Sequence, residues 1–314
     1  INVYNNFDEF NKIFKASKID YTMSAITGLD GLKPTIDIIR FTKKIAIANK
    51  ESIICGWSLI KKNIMKYKSQ FIPIDSEHFS IWSLMNNLKI SNIEKVYITA
   101  SGGPFKDYPI KKFKHITTES ALKHPSWSMG KKISIDSATM MNKVFEIIEA
   151  KNIFNFEYNQ IEILVHPKSY VHAIIKFTNG LIKILAHETD MKIPIFNSLY
   201  PNFEKKIQSK KIDIKILNNV NFEKVDIKKF PILKLIKSLP QKNSLFETII
   251  VSTNDCLVEN FLLKKIKFLD ISKYLFIIVN DKEFQKYKLK KPTNIDEIKL
   301  LNKYVRLKTN NLCV

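Results

Sequence analysis

A chain of 314 residues with 45% hydrophobic content is long enough for a large core and two or three domains, and its formal net charge of +21 raises nucleic acid or an anionic membrane as a partner. Arg40 and Arg306 are the only arginines; the other cations are lysines scattered along the chain, without the guanidinium fork that grips phosphate and reads guanine, so a specific nucleic-acid partner is set aside. Cys55, Cys256 and Cys313 make neither a disulfide framework nor a zinc pattern, and no apolar run reaches the length of a membrane span.

In chain order, Phe7, Phe10, Ile13 and Phe14 give helical spacing over Phe7 to Ser17. Tyr21 to Ile26 reads as a strand, Gly28 and Gly31 as a tight turn, and Leu32 to Phe41 as a helix with Pro34 in its first turn. Lys44 to Ala48 is a second strand, Glu51 to Tyr67 a helix and Phe71 to Ile74 a third strand, an alternation that predicts parallel βαβ units. No G-x-G-x-x-G occurs, so a dinucleotide site has no fingerprint to rest on. Asp75-Ser76-Glu77-His78 then sits where a strand hands over to the helix carrying Phe79, Ile81, Trp82, Leu84, Met85 and Leu88. Two acids one residue apart at a strand's carboxyl end suit a hard cation, although taken alone the tetrapeptide favours a capped helix start, with Asp75 or Ser76 as the cap.

Val96 to Ala100 is a strand leading into Ser101-Gly102-Gly103-Pro104. From Ser101 to Lys131 the chain is rich in Lys and Pro, with one short helix near Thr118 to Lys123; Trp127 and Met129 near its end make it a lid. Ser134 to Phe154 reads as strand then long helix, and Ile161 to Val165, Val171 to Phe177 and Leu181 to Ala186 as antiparallel strands with an Asn179-Gly180 hairpin. The expected architecture is α/β: a truncated Rossmann-like parallel sheet, an α+β catalytic domain with a lid loop, and a helical C-terminal domain. The expected boundaries are 1–75, 76–200, a polar linker over 201–229, and 230–314.

Five stretches, in order, carry more than periodicity: Ala48-Asn49-Lys50-Glu51-Ser52; Asp75 to His78; Ala100 to Phe105; His124-Pro125-Ser126-Trp127-Ser128-Met129-Gly130-Lys131; and Asp136-Ser137-Ala138-Thr139-Met140-Met141-Asn142-Lys143, with Glu146 one helical turn beyond Asn142. This ordered set resembles 1-deoxy-D-xylulose 5-phosphate reductoisomerase, over a span from about Ile19 to the C-terminal helices. The resemblance implies a divalent cation (Mg²⁺, Mn²⁺ or Co²⁺) on Asp75, Glu77 and Glu146, and substrate phosphate on Ser101, Ser137, Asn142 and Lys143. It implies Lys50, Ser76 and His124 at the sugar's oxygens, Glu77 among the catalytic groups with Lys50 and His124, and Trp127 closing over the carbon chain. NADPH would meet Asn49, Glu51 and Gly130, with Met191 beside the nicotinamide. His172 is left without a role.

The implied reaction is skeletal rearrangement by retro-aldol cleavage and re-aldolisation, then hydride transfer to the branched aldehyde. A homodimer, a small sugar phosphate as substrate and no membrane partner follow from the same resemblance. The composition, rich in Ile, Asn and Lys with 7 Gly, is that of an AT-rich genome, which gives a bacterial cytoplasm, with a plastid-type organelle as alternative. Val144 and Thr189 stand where the family usually has Gly and Pro. The family's first strand and Gly-rich turn have no counterpart, so roughly 70–80 family residues, one mononucleotide-binding half, are expected before Ile1, and residues 1–314 alone are expected to bind NADPH weakly. A sugar-phosphate oxidoreductase of different substrate, and a basic nucleic-acid-associated protein on the same scaffold, are the competing readings; the intact carboxylate set speaks against the second.

Overall fold

The computed structural model describes residues 7, 10–14, 18–85, 88–125, 127, 129–201 and 205–313. A one-turn helix α1 (Phe10–Ile13) precedes strand β1 (Ile19–Ser24), helix α2 (Leu32–Ile39), β2 (Thr42–Ile47), α3 (Lys50–Tyr67) and β3 (Gln70–Pro73). The strands form a three-stranded sheet in the order β1-β2-β3, all parallel, with Ser24 level with Ile47 and Ala46 level with Ile72. The alternation of buried apolar strands with helices produced this, because a parallel pair needs a crossover. Among the described residues the expected helix over Phe7 to Ser17 includes α1; residues 8, 9 and 15–17 of that expectation lie outside the described ones.

Asn49 starts α3 by accepting from the Ser52 amide at 2.5 Å, and Lys68 ends it in a left-handed conformation. Gly31 follows Gly28 in the turn before α2. A side chain there would stand 2.4 Å from the Ile26 carbonyl and 2.8 Å from the Asn49 amide, so only glycine lets this turn close on α3.

After α4 (Ser76–Met85) comes β4 (Ile93–Ala100), then a one-turn helix α5 (Thr118–Ala121), α6 (Lys131–Thr139), α7 (Met141–Phe154), and strands β5 (Ile161–Val165), β6 (Val171–Phe177) and β7 (Ile182–Ala186). The short helices α8 (Lys192–Leu199) and α9 (Ile214–Asn218) precede β8 (Glu223–Lys224). These strands form a second sheet, β7-β6-β4-β5-β8. Three expectations need correcting. β5 is parallel to β4, not antiparallel. The 201–229 stretch contributes β8 to an edge of this sheet rather than serving only as a linker. Ser134 to Asp136 is helix, not strand: Ile133 and Ile135 alternate, but Ser134 and Asp136 are buried too, and Lys132 meets Asp136 at 2.9 Å across one helical turn.

α10 (Phe246–Leu262), α11 (Phe268–Asn280), the single turn α12 (Lys282–Gln285) and α13 (Ile295–Leu312) close the chain as a helical unit. α10 packs against α11, α13, α3 and α6. The 101–131 segment is only partly a free loop. Phe105 and Phe113 are buried against Phe268, with ring centroids 5.3 and 6.1 Å away, and Thr118 donates to the Phe261 carbonyl at 3.2 Å. The aromatic residues that sequence left in a loop are its anchors. No described helix is long and apolar enough to cross a membrane.

Candidate active site

The carboxyl ends of β2, β3 and β4 deliver Lys50, Asp75 and Ser101 to one place, and the α6–α7 junction delivers Ser137, Asn142, Lys143 and Glu146 to the same place. Between them lies a cavity of about 410 Å³, also lined by Ser76, Glu77, His124, Trp127, Met129, Ser169, His172 and Met191. This is the edge at which open α/β sheets hold ligands. Two backbone features build it. Met140 is left-handed, φ 67°, and turns the chain sharply from α6 into α7. Gly103 has φ 66°, and a Cβ there would sit 2.8 Å from the Ser137 carbonyl, so glycine lets the β4 loop press against α6.

Asp75, Glu77 and Glu146 each offer an oxygen within 4.8 Å of the others. Glu146 is buried, its side chain 1% exposed, and burial with the nearby Glu77 charge pushes its pKa up to about 8. Lys143 answers this charge, its Nζ 2.7 Å from Glu77 and in contact with Glu146. Ser76 donates to Glu77 at 2.6 Å, and the Asn142 amide donates to Glu146. Three converging hard oxygens fit Mg²⁺ or Mn²⁺ in chemistry and in number.

A second layer stands behind them. The Lys50 ammonium bonds Asp75 and, at 3.1 Å, Glu149, a buried residue one turn beyond Glu146. His78 donates from Nε2 to the Glu146 carbonyl at 2.9 Å, and its Nδ1 is 3.3 Å from Asp75. Burial opposes charge on this ring, but Glu149 and Asp75 outweigh it and raise its pKa to about 9, so it is an imidazolium at neutral pH.

His124 is the opposite case. Burial, and then the Lys143 charge, lower its pKa to about 4, leaving a neutral ring. The Trp127 amide donates to Nδ1 at 2.9 Å, which puts the ring proton on Nε2, 3.1 Å from Ser101 Oγ. That oxygen also accepts from the Gly103 amide at 3.1 Å. With both acceptor positions used, the Ser101 proton is left for an acceptor in the cavity. Lys143 and Asn142 stand in the first turn of α7, where the helix dipole favours an anion.

Of the residues singled out in the sequence, Lys50, Asp75, Ser76, Glu77, Ser101, His124, Trp127, Ser137, Asn142, Lys143, Glu146 and Met191 share this cavity. Asn49, Glu51 and Gly130 do not line it. The Asn49 amide is bonded to the Ile26 and Gly28 carbonyls, Glu51 is paired with Lys132 at 2.9 Å, and Gly130 caps α6. Ser126 and Ser128 of the matched motif lie outside the described residues. Sequence reading missed Glu149 and gave His78 no role; the three-residue step from Glu146 to Glu149 was the available signal. His172 lines the cavity, stacked on His187 with centroids 3.8 Å apart and edge-on to Trp127 at 6.1 Å. Val144 is buried in the core and does not reach the cavity.

Family models for 1-deoxy-D-xylulose 5-phosphate reductoisomerase match residues 1–56, and models of that enzyme's C-terminal domain match 71–154 and 187–308. The 1-deoxy-D-xylulose 5-phosphate reductoisomerase of Pelagibacter ubique is 64% identical over 100% of this chain and 81% of its own length. That of Clostridium perfringens is 38% identical over 94% of this chain and 76% of its own. A crystal structure of DOX-P reductoisomerase in complex with NADPH, fosmidomycin and magnesium superposes with a TM-score of 0.87 at 31% identity, covering 98% of this chain and 78% of that one. The Zymomonas mobilis enzyme in complex with NADPH gives 0.82 at 32% identity, over the same shares.

Proposed function

The chain belongs to the 1-deoxy-D-xylulose 5-phosphate reductoisomerase family, and on that premise we propose that it converts 1-deoxy-D-xylulose 5-phosphate to 2-C-methyl-D-erythritol 4-phosphate, with NADPH and a divalent cation, in non-mevalonate isoprenoid synthesis. The observation that carries this is the meeting of three carboxylates with two hydroxyls, an amide and a lysine in a single cavity. A hard-cation site and a phosphate site that share a wall fit a phosphorylated sugar with oxygens to chelate.

In this reading Asp75, Glu77 and Glu146 hold the cation, which when bound supplies Lewis acidity to the sugar's carbonyl and hydroxyl oxygens. Ser101, Ser137, Asn142 and Lys143 hold the phosphate at the first turn of α7. Neutral His124 serves as a hydrogen-bond partner, and the Lys50 ammonium as the charged donor at the sugar oxygens. Trp127 covers the carbon chain and, with Met129, excludes water. Met23, Ala25, Ala48, Met191 and Ile195 give the cavity an apolar end suited to a flat nicotinamide, and NADPH when bound supplies the hydride. Asn49, Glu51 and Gly130 remain its proposed polar contacts from outside this cavity. The division at 75, 200 and 229 belongs to the same proposal, as do a bacterial cytoplasmic setting and a homodimer. Edge strand β7 supports the dimer: Ile182 and Ile184 are 60% and 52% exposed on a strand with one unpaired side.

The test is NADPH oxidation by the complete gene product with 1-deoxy-D-xylulose 5-phosphate and Mg²⁺ or Mn²⁺. Turnover that stops with a chelator and returns with either cation is expected. No turnover with this substrate, alongside turnover of another sugar phosphate, would replace the reading by the related oxidoreductase.

A further inference from the structure

Glu149 is a carboxylate buried to 1% exposure that does not line the cavity. Placing a carboxylate in the interior is unfavourable unless it is paired, and an apolar residue of similar volume is usually the more stable choice there. Its partners face the site. Oε2 lies 3.1 Å from the Lys50 ammonium, which also bonds Asp75 and is itself on the cavity wall. Glu149 comes within 4.8 Å of both Asp75 and His78.

Resting on the function proposed above, we propose that Glu149 is a positioning residue: it holds the Lys50 ammonium against the cavity wall beside Asp75, so that substrate oxygens meet a charged donor already in place. The geometry supports this in three ways. Lys50 is the first residue of α3, and its side chain has to cross to α7 to reach Glu149, so its direction is fixed from two elements. The ammonium is bonded by both Asp75 and Glu149, and two anchors restrict it more than Asp75 alone would. Glu149 shares α7 with Asn142, Lys143 and Glu146, so the same rigid helix sets the reference frame for the lysine and for the cation and phosphate groups. A long, flexible lysine loses rotamer freedom when it is fixed, and a preset orientation removes that cost from the binding step.

The test is a double-mutant cycle on the complete gene product with Glu149→Gln and Lys50→Met. Glu149→Gln is expected to lower kcat/KM for 1-deoxy-D-xylulose 5-phosphate at least tenfold while leaving KM for NADPH within twofold. In the Lys50→Met background the same change should move residual kcat/KM by less than twofold, because there is no ammonium left to position. If the two single losses multiply in the double variant, Glu149 acts independently of Lys50 and the proposal fails. Should Glu149→Gln alone fail to fold, recovery of folding in the double variant supports the pairing, and its absence overturns it. A second readout does not depend on the reaction: acylation of Lys50 by an amine reagent, followed by peptide mass spectrometry, should be at least threefold faster in Glu149→Gln than in the unmodified sequence. Surface Lys215 is the control. Unchanged labelling overturns the positioning role even if the substrate assignment is wrong, and absent wild-type turnover with faster labelling sinks only the substrate assignment.

Discussion

Glu77→Gln should abolish most activity with little change in stability, and the reason lies in the distances. Glu77 is within 4.8 Å of oxygens of both Asp75 and Glu146, and at about pH 9, above the Glu146 pKa of about 8 so that both neighbours are ionised, each like-charge pair at that separation repels by ~3.5 kcal/mol at an effective dielectric of about 20. Against this, the Lys143 ammonium 2.7 Å from Glu77 attracts it by ~6 kcal/mol on the same scale. Removing the charge therefore deletes repulsion and attraction of nearly equal size. The net effect on the metal-free protein should be within about 1 kcal/mol, a few degrees of melting temperature for a chain of this size. Catalysis has no such compensation. Losing one of three anionic ligands should lower kcat by about 10² or more, the size seen when a single charge-stabilising group is removed from an active site, and should raise the Mg²⁺ needed for half-maximal activity. The assays are a thermal melt in chelator at about pH 9, where Glu146 is ionised, and NADPH oxidation titrated with Mg²⁺. Two results refute the reasoning: turnover within twofold of wild type at limiting Mg²⁺, which removes Glu77 from the cation site, or a melt more than 10 °C lower, which makes its role structural.

Gly103→Ala should both weaken the fold, by about 1–2 kcal/mol from the left-handed backbone alone, and raise KM for the sugar phosphate, because the added Cβ meets the Ser137 carbonyl at 2.8 Å; a melt and a KM equal to wild type would remove that contact from the argument. Glu247 is buried and its pKa is pushed up to about 7 by burial, against hydrogen bonds from Ser244. Its folded-state value lies above the unfolded one, so the stability it contributes is complete below about pH 4.5 and fades as pH rises through 7, on the order of 3 kcal/mol in all; Glu247→Gln should flatten this part of the stability–pH curve, and an unchanged slope would refute it. Trp127 emission should shift when 1-deoxy-D-xylulose 5-phosphate is added with Mg²⁺, and Trp127→Phe should lose that shift although Trp57 and Trp82 remain; an undiminished shift would assign it elsewhere. Ile184→Glu should convert the proposed dimer to a monomer in light scattering, and a dimer that persists would exclude β7 as its seam.

How much of this was legible in the sequence depended on how local the signal was. β2, β3 and β4 are short apolar runs bounded by polar residues, and their boundaries were readable within about three residues. The cavity-lining residues at their carboxyl ends were legible for the same reason, since Lys50, Asp75-Ser76-Glu77 and Ser101-Gly102 each stand just after a run. α6 was not legible. Ile133 and Ile135 alternate like a strand, and what makes the segment helical is tertiary: Lys132 reaches Glu51, Asp136 and Asp255 on three helices. The lid was overdrawn because nothing near Phe105 or Phe113 announces Phe268, which lies about 160 residues away and is recruited only once α11 has packed. Asn49 and Glu51 fell outside the cavity because their own neighbours claim them, a helix cap and a lysine hub that only the fold brings within reach.

The remaining question is why one helix carries so much of the site. At about 100° per residue, Asn142, Lys143, Glu146 and Glu149 fall within an arc of about 120° on α7, while Val144 lies on the far side, in the core. That geometry explains why valine in place of the family's usual glycine need not touch the chemistry: it changes packing behind the helix, not the arc in front. It also means that the carboxylate of Glu146, the ammonium of Lys143 and the support for Lys50 are not separately adjustable. A rotation of α7 by one residue would turn Glu146 and Lys143 out of the cavity and Glu149 away from Lys50 together, so the junction at Met140, which fixes where α7 begins, sets all three at once. On the proposed function, the groups assigned to cation and phosphate are thereby held at a fixed separation, which is what a site needs if it is to accept one length of sugar phosphate and reject others.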